Sequence, residues 1–213
     1  MPPRDEQDFE SRRQQIIDGA LRVFARKGFE KATNKDIAQA AGIGSPGLIY
    51  HYFKDKSDLF RQVIEQRAPV LQLIDRGESI MELPPREALT LFGEAFVKTM
   101  ENQAAVALFR LLLGEAVRQP SLAQMVNNIG PARAFAFLTR YLSQQMEAGT
   151  LRRMDPGAAT RCFVGPLIVF VLTREVFPQP DTPMLSAETM VATAVEVFLE
   201  GMQIADTDRA APA

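Results

Sequence analysis

The sequence is poor in the residues that enzymes most often use for covalent and metal chemistry. Its 213 residues include one cysteine, one histidine and no tryptophan. The single cysteine, Cys162, excludes an intramolecular disulfide framework and fits a reducing compartment. With His51 alone and no glycine-rich phosphate loop, the sequence offers no nucleophile–base pair and no metal cluster. We therefore predict no enzymatic activity, no metal and no cofactor. An enzyme that uses carboxylates alone is the alternative, and no feature favours it.

A long apolar run is also missing. The longest one, from Cys162 to Thr173 at most, contains Gly165 and Pro166 and is shorter than the ~18–20 residues of a membrane span. The N-terminal stretch MPPRDEQDFESRRQQ mixes acidic and basic residues and has no apolar core, so it is not a secretory signal. The sequence thus predicts a cytoplasmic protein with no membrane partner.

Charge is unevenly distributed along the chain, although the net charge is only −2. Residues 9–60 carry nine Lys or Arg against six Asp or Glu, whereas residues 68–213 carry twelve against sixteen. A basic segment joined to an acidic body suits an anionic partner that is met at one end of the molecule.

Helical spacing of apolar residues recurs along the chain, and the alternation typical of strands does not. The sequence therefore predicts an all-α protein. Its first helix runs from Phe9 to Lys27 and ends at Gly28. A second begins at Thr33, which forms with Asp36 the pattern of a capping box. Further helices are expected at about 57–80, 85–102, 104–118, 121–149, 156–177 and 186–203.

The stretch SPGLIYHYFK predicts a third short helix, which would form a helix-turn-helix unit with the first two. Spacing of three and four places Tyr50, His51 and Lys54 on its exposed face. The same spacing turns Tyr52 and Phe53 towards the core. Outward-facing Tyr and His can hydrogen-bond a phosphate or a base edge. The alternative is that the whole aromatic run is core.

Residues 16–59 resemble the DNA-binding domain of the TetR family of bacterial transcriptional regulators. The resemblance lies in FARKG at the end of the first helix, TNKDIAQAAG in the second and LIYHYFKDKSDL at the close. The turn AGIGSPG has one residue more than the family pattern, Gly44, which is expected to displace the start of the recognition helix. The resemblance implies phosphate contacts by Thr33, Tyr50, Lys54 and Lys56, and a major-groove face of Ser45, Pro46, Gly47, Leu48 and His51.

The later stretch FRLLLGEAVRQPSL, with GPAR after it, resembles the C-terminal domain of one TetR subgroup, which implies effector binding and dimerisation. The last two predicted helices are apolar nearly all round, which favours a dimer interface; the alternative is burial within one chain. The predicted interface residues are Phe163, Leu167, Arg174, Val191, Val195, Phe198 and Met202. The predicted effector pocket, for which plain core is the alternative, comprises Phe96, Met100, Phe109, Leu113, Phe135, Leu138 and Phe170.

We therefore predict a helix-turn-helix DNA-binding domain at 9–56, an effector-binding and dimerisation domain at 57–203 and a disordered tail at 204–213. The predicted function is that of a homodimeric repressor, which a small hydrophobic effector releases from a near-palindromic operator in double-stranded DNA. A constitutive DNA-binding regulator, or an activator without an effector, is the alternative.

Overall fold

A computed structural model describes residues 4–101, 103–116, 120–177 and 185–203. Within these ranges the chain is helical and contains no strand, so the all-α prediction is confirmed. The predicted disordered tail at 204–213 and the PQPDTP loop lie outside the described residues. The helices are α1 (Arg4–Lys31), α2 (Asn34–Ala41), a 3₁₀ helix (Pro46–His51), α3 (Lys56–Arg67), α4 (Pro69–Ile74), α5 (Gly77–Met81), α6 (Pro85–Lys98), α7 (Gln103–Ala116), α8 (Pro120–Ile129), α9 (Pro131–Glu147), α10 (Pro156–Glu175) and α11 (Ala187–Gly201).

Proline divides two of the predicted helices. The segment 57–80 forms α3, α4 and α5. Pro69 has no N–H to continue α3 and forces Ala68 into an extended conformation (φ −111°, ψ 93°). The second division falls at Arg76, which is not helical (φ −90°, ψ 25°). The segment 121–149 forms α8 and α9, with Gly130 in a non-helical conformation before Pro131. The first helix is interrupted at Gly28, as predicted, where φ is 81° and ψ is 168°, a region that side chains disfavour.

The helices assemble into two compact units. The first comprises Met1–Arg67 and Glu101–Ile129, and the second Ala68–Met100 and Gly130–Ala213. This division by compactness differs from the predicted boundary between 56 and 57, because α3, α7 and α8 pack in the same unit as the helix-turn-helix. The division of the chain by function stays a prediction. We call α1, α2, the 3₁₀ helix and α3 the head.

The core of the first unit forms on the predicted apolar face of α1. Its Ile16 and Phe24 are fully buried, and the Phe24 ring meets the Phe60 ring edge-on at 5.1 Å. Helices α1 and α2 approach so closely that a Cβ on Gly19 would lie 2.7 Å from the Ala41 backbone nitrogen. Position 19 therefore requires glycine for its lack of a side chain.

The core of the second unit centres on Phe163 of α10, whose ring lies 6.4 Å from that of Phe92 and 5.4 Å from that of Phe198. A Cβ on Gly93 would lie 2.8 Å from Val191 Cγ1, so α6 packs closely against α11. The buried Tyr141 hydroxyl donates a 2.7 Å hydrogen bond to the Leu83 carbonyl, and burial raises its pKa to about 12.

Helix α10 is apolar on more than one side. Among the described residues it is the one helix that is long and apolar enough to cross a membrane, with 20 residues and a mean hydropathy of 1.5. An uninterrupted apolar run did not reveal this, because the run ends at Arg161 and at Arg174, whereas the helix extends from Pro156 to Glu175. A core helix of a soluble protein passes the same test, and α10 buries Phe163, Leu167 and Phe170.

Candidate DNA-binding site

The N-terminus of α2 is closed by a complete capping box. The Asp36 N–H donates to the Thr33 hydroxyl, and the Asp36 carboxylate accepts from the Thr33 N–H (3.2 Å) and from the Thr33 hydroxyl (2.7 Å). Lys27 Nζ lies 2.7 Å from the same carboxylate. The hydrogen bonds from Lys27 and Thr33 lower the pKa of Asp36 to about 2. Thr33 is exposed, and because its N–H and hydroxyl both donate to Asp36, its contact with a phosphate stays a prediction.

The turn between α2 and the recognition segment is tightly ordered by backbone hydrogen bonds. Gly42 adopts the left-handed conformation (φ 68°) that ends many helices, and the Ile43 N–H donates to the Ala38 carbonyl at 3.0 Å. The additional Gly44 is exposed, and Ser45 caps the next element by accepting from the Gly47 N–H at 3.3 Å. The recognition segment therefore begins at Pro46, as predicted. Whether Gly44 displaces the base contacts stays a prediction.

The recognition segment is a 3₁₀ helix, whereas the sequence predicted an ordinary helix. Its side chains nevertheless sort as expected. Tyr50 is 60% exposed and His51 is also exposed, while Tyr52 is half-buried and Phe53 is only 2% exposed. Leu48 departs from the prediction, because it is half-buried and packs against the core of the head, which restricts what it can offer a base.

A contact that was not predicted supports this segment. Phe9, at the predicted start of the first helix, is 42% exposed, and its ring lies against that of Tyr52 with centroids 4.6 Å apart and planes tilted by 36°. Tyr52 in turn meets the His51 ring at 6.1 Å. The first turns of α1 thus pack against the end of the 3₁₀ helix. The signal that could have revealed this was the unpartnered aromatic residue in a polar stretch.

The two predicted phosphate-binding lysines lie in different environments. Lys54 is exposed, and its backbone N–H donates to the Asp58 carboxylate at 3.0 Å. The ammonium of Lys56 instead donates to the carbonyls of Phe29 (2.9 Å), Glu30 (3.2 Å) and Ala32 (3.3 Å). An ammonium has three donors, and three carbonyls engage them. Whether this ammonium contacts a phosphate when DNA is bound stays a prediction.

The predicted dimer interface faces inwards. Six of its residues form the core of the second unit, each no more than 9% exposed: Phe163, Leu167, Val191, Val195, Phe198 and Met202. The seventh, Arg174, is half-buried and pairs with Glu175 at 2.8 Å. These six side chains cannot form an interchain face, because one chain already buries them. The opposite sides of α10 and α11 expose Val169 (58%) and Val197 (64%) instead.

The predicted pocket residues belong to both compact units. Leu138 and Phe170 are buried in the second unit, and Phe135 lines a surface groove of about 670 Å³ between α9 and α10 that also includes Arg140 and Arg161. The remaining four are half-buried or exposed, and two of them belong to α7 of the first unit: Phe96, Met100, Phe109 and Leu113. Their role in effector binding stays a prediction.

Curated proteins resemble the chain over part of its length. The regulator AcrR of Shigella flexneri is 34% identical over 116 residues, which are 53% of this chain and 51% of AcrR. The repressor Rv1474c of Mycobacterium tuberculosis is 48% identical over 60 residues, which are 28% of this chain and 32% of that protein. The chain thus spans about half or less of the length of these curated relatives.

Solved structures resemble it over most of its length. FadR of Bacillus subtilis, in complex with stearoyl-CoA, gives a TM-score of 0.68 and FadR of Bacillus halodurans one of 0.69. Each is 23% identical and covers 89% of this chain and 99% of its own. At this identity the likeness shows the fold alone.

Two family descriptions match the chain itself. "Bacterial regulatory proteins, tetR family" matches residues 16–63, and "AefR-like transcriptional repressor, C-terminal domain" matches residues 87–201, more than half of the chain. The relatives are transcriptional regulators, in a family not known to be enzymatic. With a helix-turn-helix head followed by this C-terminal domain, the chain belongs to the TetR family of bacterial transcriptional regulators.

Proposed function

We propose that this TetR-family regulator is a homodimeric repressor that binds a near-palindromic operator and leaves it when a small hydrophobic effector binds. The observation that carries the DNA-binding part is the exposed face of the 3₁₀ helix. Tyr50 and His51 project there beside Ser45, Pro46 and Gly47, while Ile49 and Phe53 hold the segment to the core. An aromatic run that served only as core would not leave Tyr50 60% exposed.

The residues of this face are proposed to have two roles: some position the protein on the DNA backbone, and others contact base edges. Thr33 at the N-terminus of α2, with Tyr50 and Lys54, is proposed to contact phosphates, since the first N–H groups of a helix and its positive dipole end favour an anion. His51 and Pro46 are proposed to face base edges in the major groove. With so few hydrogen-bonding side chains on this face, part of the specificity would come from the shape of the DNA.

The proposed dimer uses the outward sides of α10 and α11. These sides expose small and apolar residues, among them Pro166, Val169, Thr193 and Val197, and α11 also exposes Glu188, Glu196 and Glu200. Small side chains allow helices of two copies to approach closely, and a two-fold arrangement would pair identical surfaces. A dimer of this kind presents two recognition segments to successive major grooves of a palindromic site.

The proposed effector is a hydrophobic molecule, and a long-chain acyl-CoA is the first class to test. Support comes from the fold shared with Bacillus subtilis FadR, which was solved with stearoyl-CoA. Because a ligand shifts an equilibrium only through differential affinity, the effector must prefer the arrangement of the dimer that does not bind DNA. The protein is proposed to act in the cytoplasm.

Footprinting of the DNA upstream of its own gene tests the proposal. The wild-type protein should protect a near-palindromic site, and stearoyl-CoA should release it. His51→Ala should weaken this binding, while Lys98→Ala, which removes an exposed charge from α6, should not. Protection that is unchanged in His51→Ala would contradict the assigned face. Operator binding that no acyl-CoA affects would contradict the effector class and leave the DNA-binding face standing.

A further inference from the structure

The first turns of α1 contact the end of the recognition segment through two residues on one face of the helix. Phe9 and Arg13 are four positions apart, so their side chains lie one above the other. The Phe9 ring lies against that of Tyr52, with centroids 4.6 Å apart and planes tilted by 36°. The Arg13 guanidinium lies 5.5 Å from the centre of the Phe53 ring and donates a 2.6 Å hydrogen bond to Gln62 of α3. One face of α1 thus holds two neighbouring residues at the end of the segment.

Phe9 is an apolar residue in a polar part of α1. Its side chain stays 42% exposed, and its neighbours in the sequence are charged or polar. It also precedes residue 16, where the match to the family's DNA-binding domain begins. An exposed aromatic ring is common by itself, but this one has a specific partner, and tilted aromatic pairs at this distance attract each other beyond the area that they bury.

The contact reaches His51 through Tyr52. The Tyr52 N–H donates to the Ile49 carbonyl at 3.0 Å, which ties its backbone to the 3₁₀ helix. Its half-buried ring contacts Phe9 and also meets the His51 ring nearly edge-on, with centroids 6.1 Å apart and planes at 73°. The exposed His51 ring therefore rests against a ring that α1 holds in place.

This arrangement prepares His51 for a partner. A side chain that contacts a base must give up rotameric freedom, and one that is already held loses less of it on binding. We propose that Phe9 is a positioning residue of the DNA-binding site: it fixes the Tyr52 ring, which in turn holds the His51 ring in the orientation that meets a base edge. This inference rests on the proposed DNA-binding face, and it makes the start of α1 part of the specificity of the head.

Binding to two kinds of DNA tests the proposal. One is the duplex that the wild-type protein protects upstream of its own gene, and the other has a random sequence. Phe9→Ala should weaken binding to the first about threefold to tenfold, the range of an aromatic pair. Binding to the second should not change, because it depends on charge and Phe9 has none. Alanine favours a helix more than phenylalanine does, so a weakened α1 would not explain the loss.

Two further variants control this measurement. Phe9→Tyr keeps the ring and should bind the protected duplex as the wild type does. Leu91→Ala, on α6, removes another apolar side chain of similar exposure, 39%, and should also bind as the wild type does. Wild-type affinity in Phe9→Ala would overturn the proposal, and so would a Phe9→Tyr that binds as weakly as Phe9→Ala.

A double-mutant cycle separates positioning from an independent role of Phe9. If Phe9 acts through His51, Phe9→Ala should weaken binding less than about twofold once position 51 is alanine, because no ring is left to position. Losses that multiply in the double variant would overturn the proposal, since Phe9 would then contribute to binding by a route that does not involve His51.

NMR of the free protein tests the geometry without DNA. His51 is the single histidine of the chain, so its ring signals are assigned by composition. Because aromatic rings shift the signals of nearby protons, Phe9→Ala should move these signals, and Phe9→Tyr and Leu91→Ala should move them little. Identical His51 signals in Phe9→Ala and the wild type would overturn the proposal. Failure of the DNA-binding face would appear differently: His51→Ala would bind DNA as the wild type does, while Phe9→Ala still moved the His51 signals.

Discussion

The head and the pair α10–α11 each have a buried side and an exposed side. In the head the two sides differ in polarity, whereas in α10 they differ mainly in the size of the side chains. In the head the exposed side is polar: Tyr50 and His51 face outwards while Ile49 and Phe53 are buried. In α10 the exposed side includes apolar residues such as Val169, and α11 exposes Val197 among Thr193, Glu196 and Glu200. There the large side chains, such as Phe163, fill the core, and smaller ones lie outside. A polar exposed face suits a charged, hydrated partner such as DNA, and an apolar one suits a second copy of the protein.

Two neighbouring residues of α11 test this comparison most strongly. Phe198 is 9% exposed and Val197 is 64% exposed. Phe198→Glu should destabilise the fold by at least about 5 kcal/mol, because it removes a buried ring and buries a charge. Val197→Glu should leave the melting temperature nearly unchanged and convert a dimer of twice 23.7 kDa into a monomer.

Thermal denaturation and light scattering measure the two effects. A folded, dimeric Phe198→Glu would mean that the buried and exposed sides of α11 are assigned the wrong way round. A dimeric Val197→Glu would remove this face from the proposed interface and leave the core assignment unaffected. A wild-type chain that stays monomeric would remove the interface altogether.

The aromatic run of the head gives the next largest effect. Phe53→Ala should destabilise the head by about 3–5 kcal/mol, because a buried ring is lost, and should impair DNA binding only through unfolding. Tyr50→Phe and His51→Ala should change stability by less than about 0.5 kcal/mol and still weaken operator binding. Denaturant unfolding, paired with operator affinity, separates the two classes. Equal losses of stability in all three variants would make the whole run core.

Two glycines test how closely each region is packed. A Cβ on Gly19 would lie 2.7 Å from the Ala41 nitrogen, so Gly19→Ala should destabilise the head by about 1–3 kcal/mol. A Cβ on Gly165, on the outward side of α10, would meet no neighbouring atom within 4 Å, so Gly165→Ala should stabilise a single chain by up to about 1 kcal/mol. Urea unfolding in the monomeric Val197→Glu background isolates both effects from dimerisation. A destabilising Gly165→Ala in that background would mean that α10 is covered within one chain.

The smallest expected effect is the acid response of the capping box. The pKa of Asp36 is about 2 in the folded protein and 3.8 ordinarily, so its carboxylate stabilises the fold above pH 3.8. That contribution should be lost as the pH falls from 3.8 towards 2, because the unfolded chain then binds the proton more tightly. Unfolding measured across this range should be less pH-dependent in Asp36→Asn. An identical pH dependence in the variant would exclude Asp36 as the source.

The burial of side chains could be predicted from the sequence where one side of a helix is polar and the other is apolar. Helical spacing separated Tyr50 and His51, which face solvent, from Phe53, which faces the core. The capping box at Thr33 could be predicted from two residues, Thr33 and Asp36. Helical spacing did not identify the exposed side of α10, because both of its sides carry apolar residues. On α11 the exposed Glu196 and Glu200 mark the outward side, and the prediction overlooked them. The division at Pro69 could have been read from the sequence, since proline disfavours a helical conformation in the residue before it.

Lys56 illustrates a different limit. Its motif position resembles that of a phosphate contact, and that role stays a prediction. Nothing in the neighbouring residues indicates that its ammonium also contacts the backbone carbonyls of a connection 24–27 residues earlier in the chain. A contact of this kind depends on the folded path of the backbone, which spacing within one helix does not reveal.

The composition of the first unit has a consequence for the modularity of the protein. The apolar core that holds the head includes Leu122 and Ile129 of α8, and α7 packs along α1. A fragment cut after Arg67 would expose this core to water, even though the family's DNA-binding pattern ends at residue 63. Chimeric regulators that exchange DNA-binding specificity would therefore need to transfer residues 101–129 together with the first 67, as one discontinuous graft.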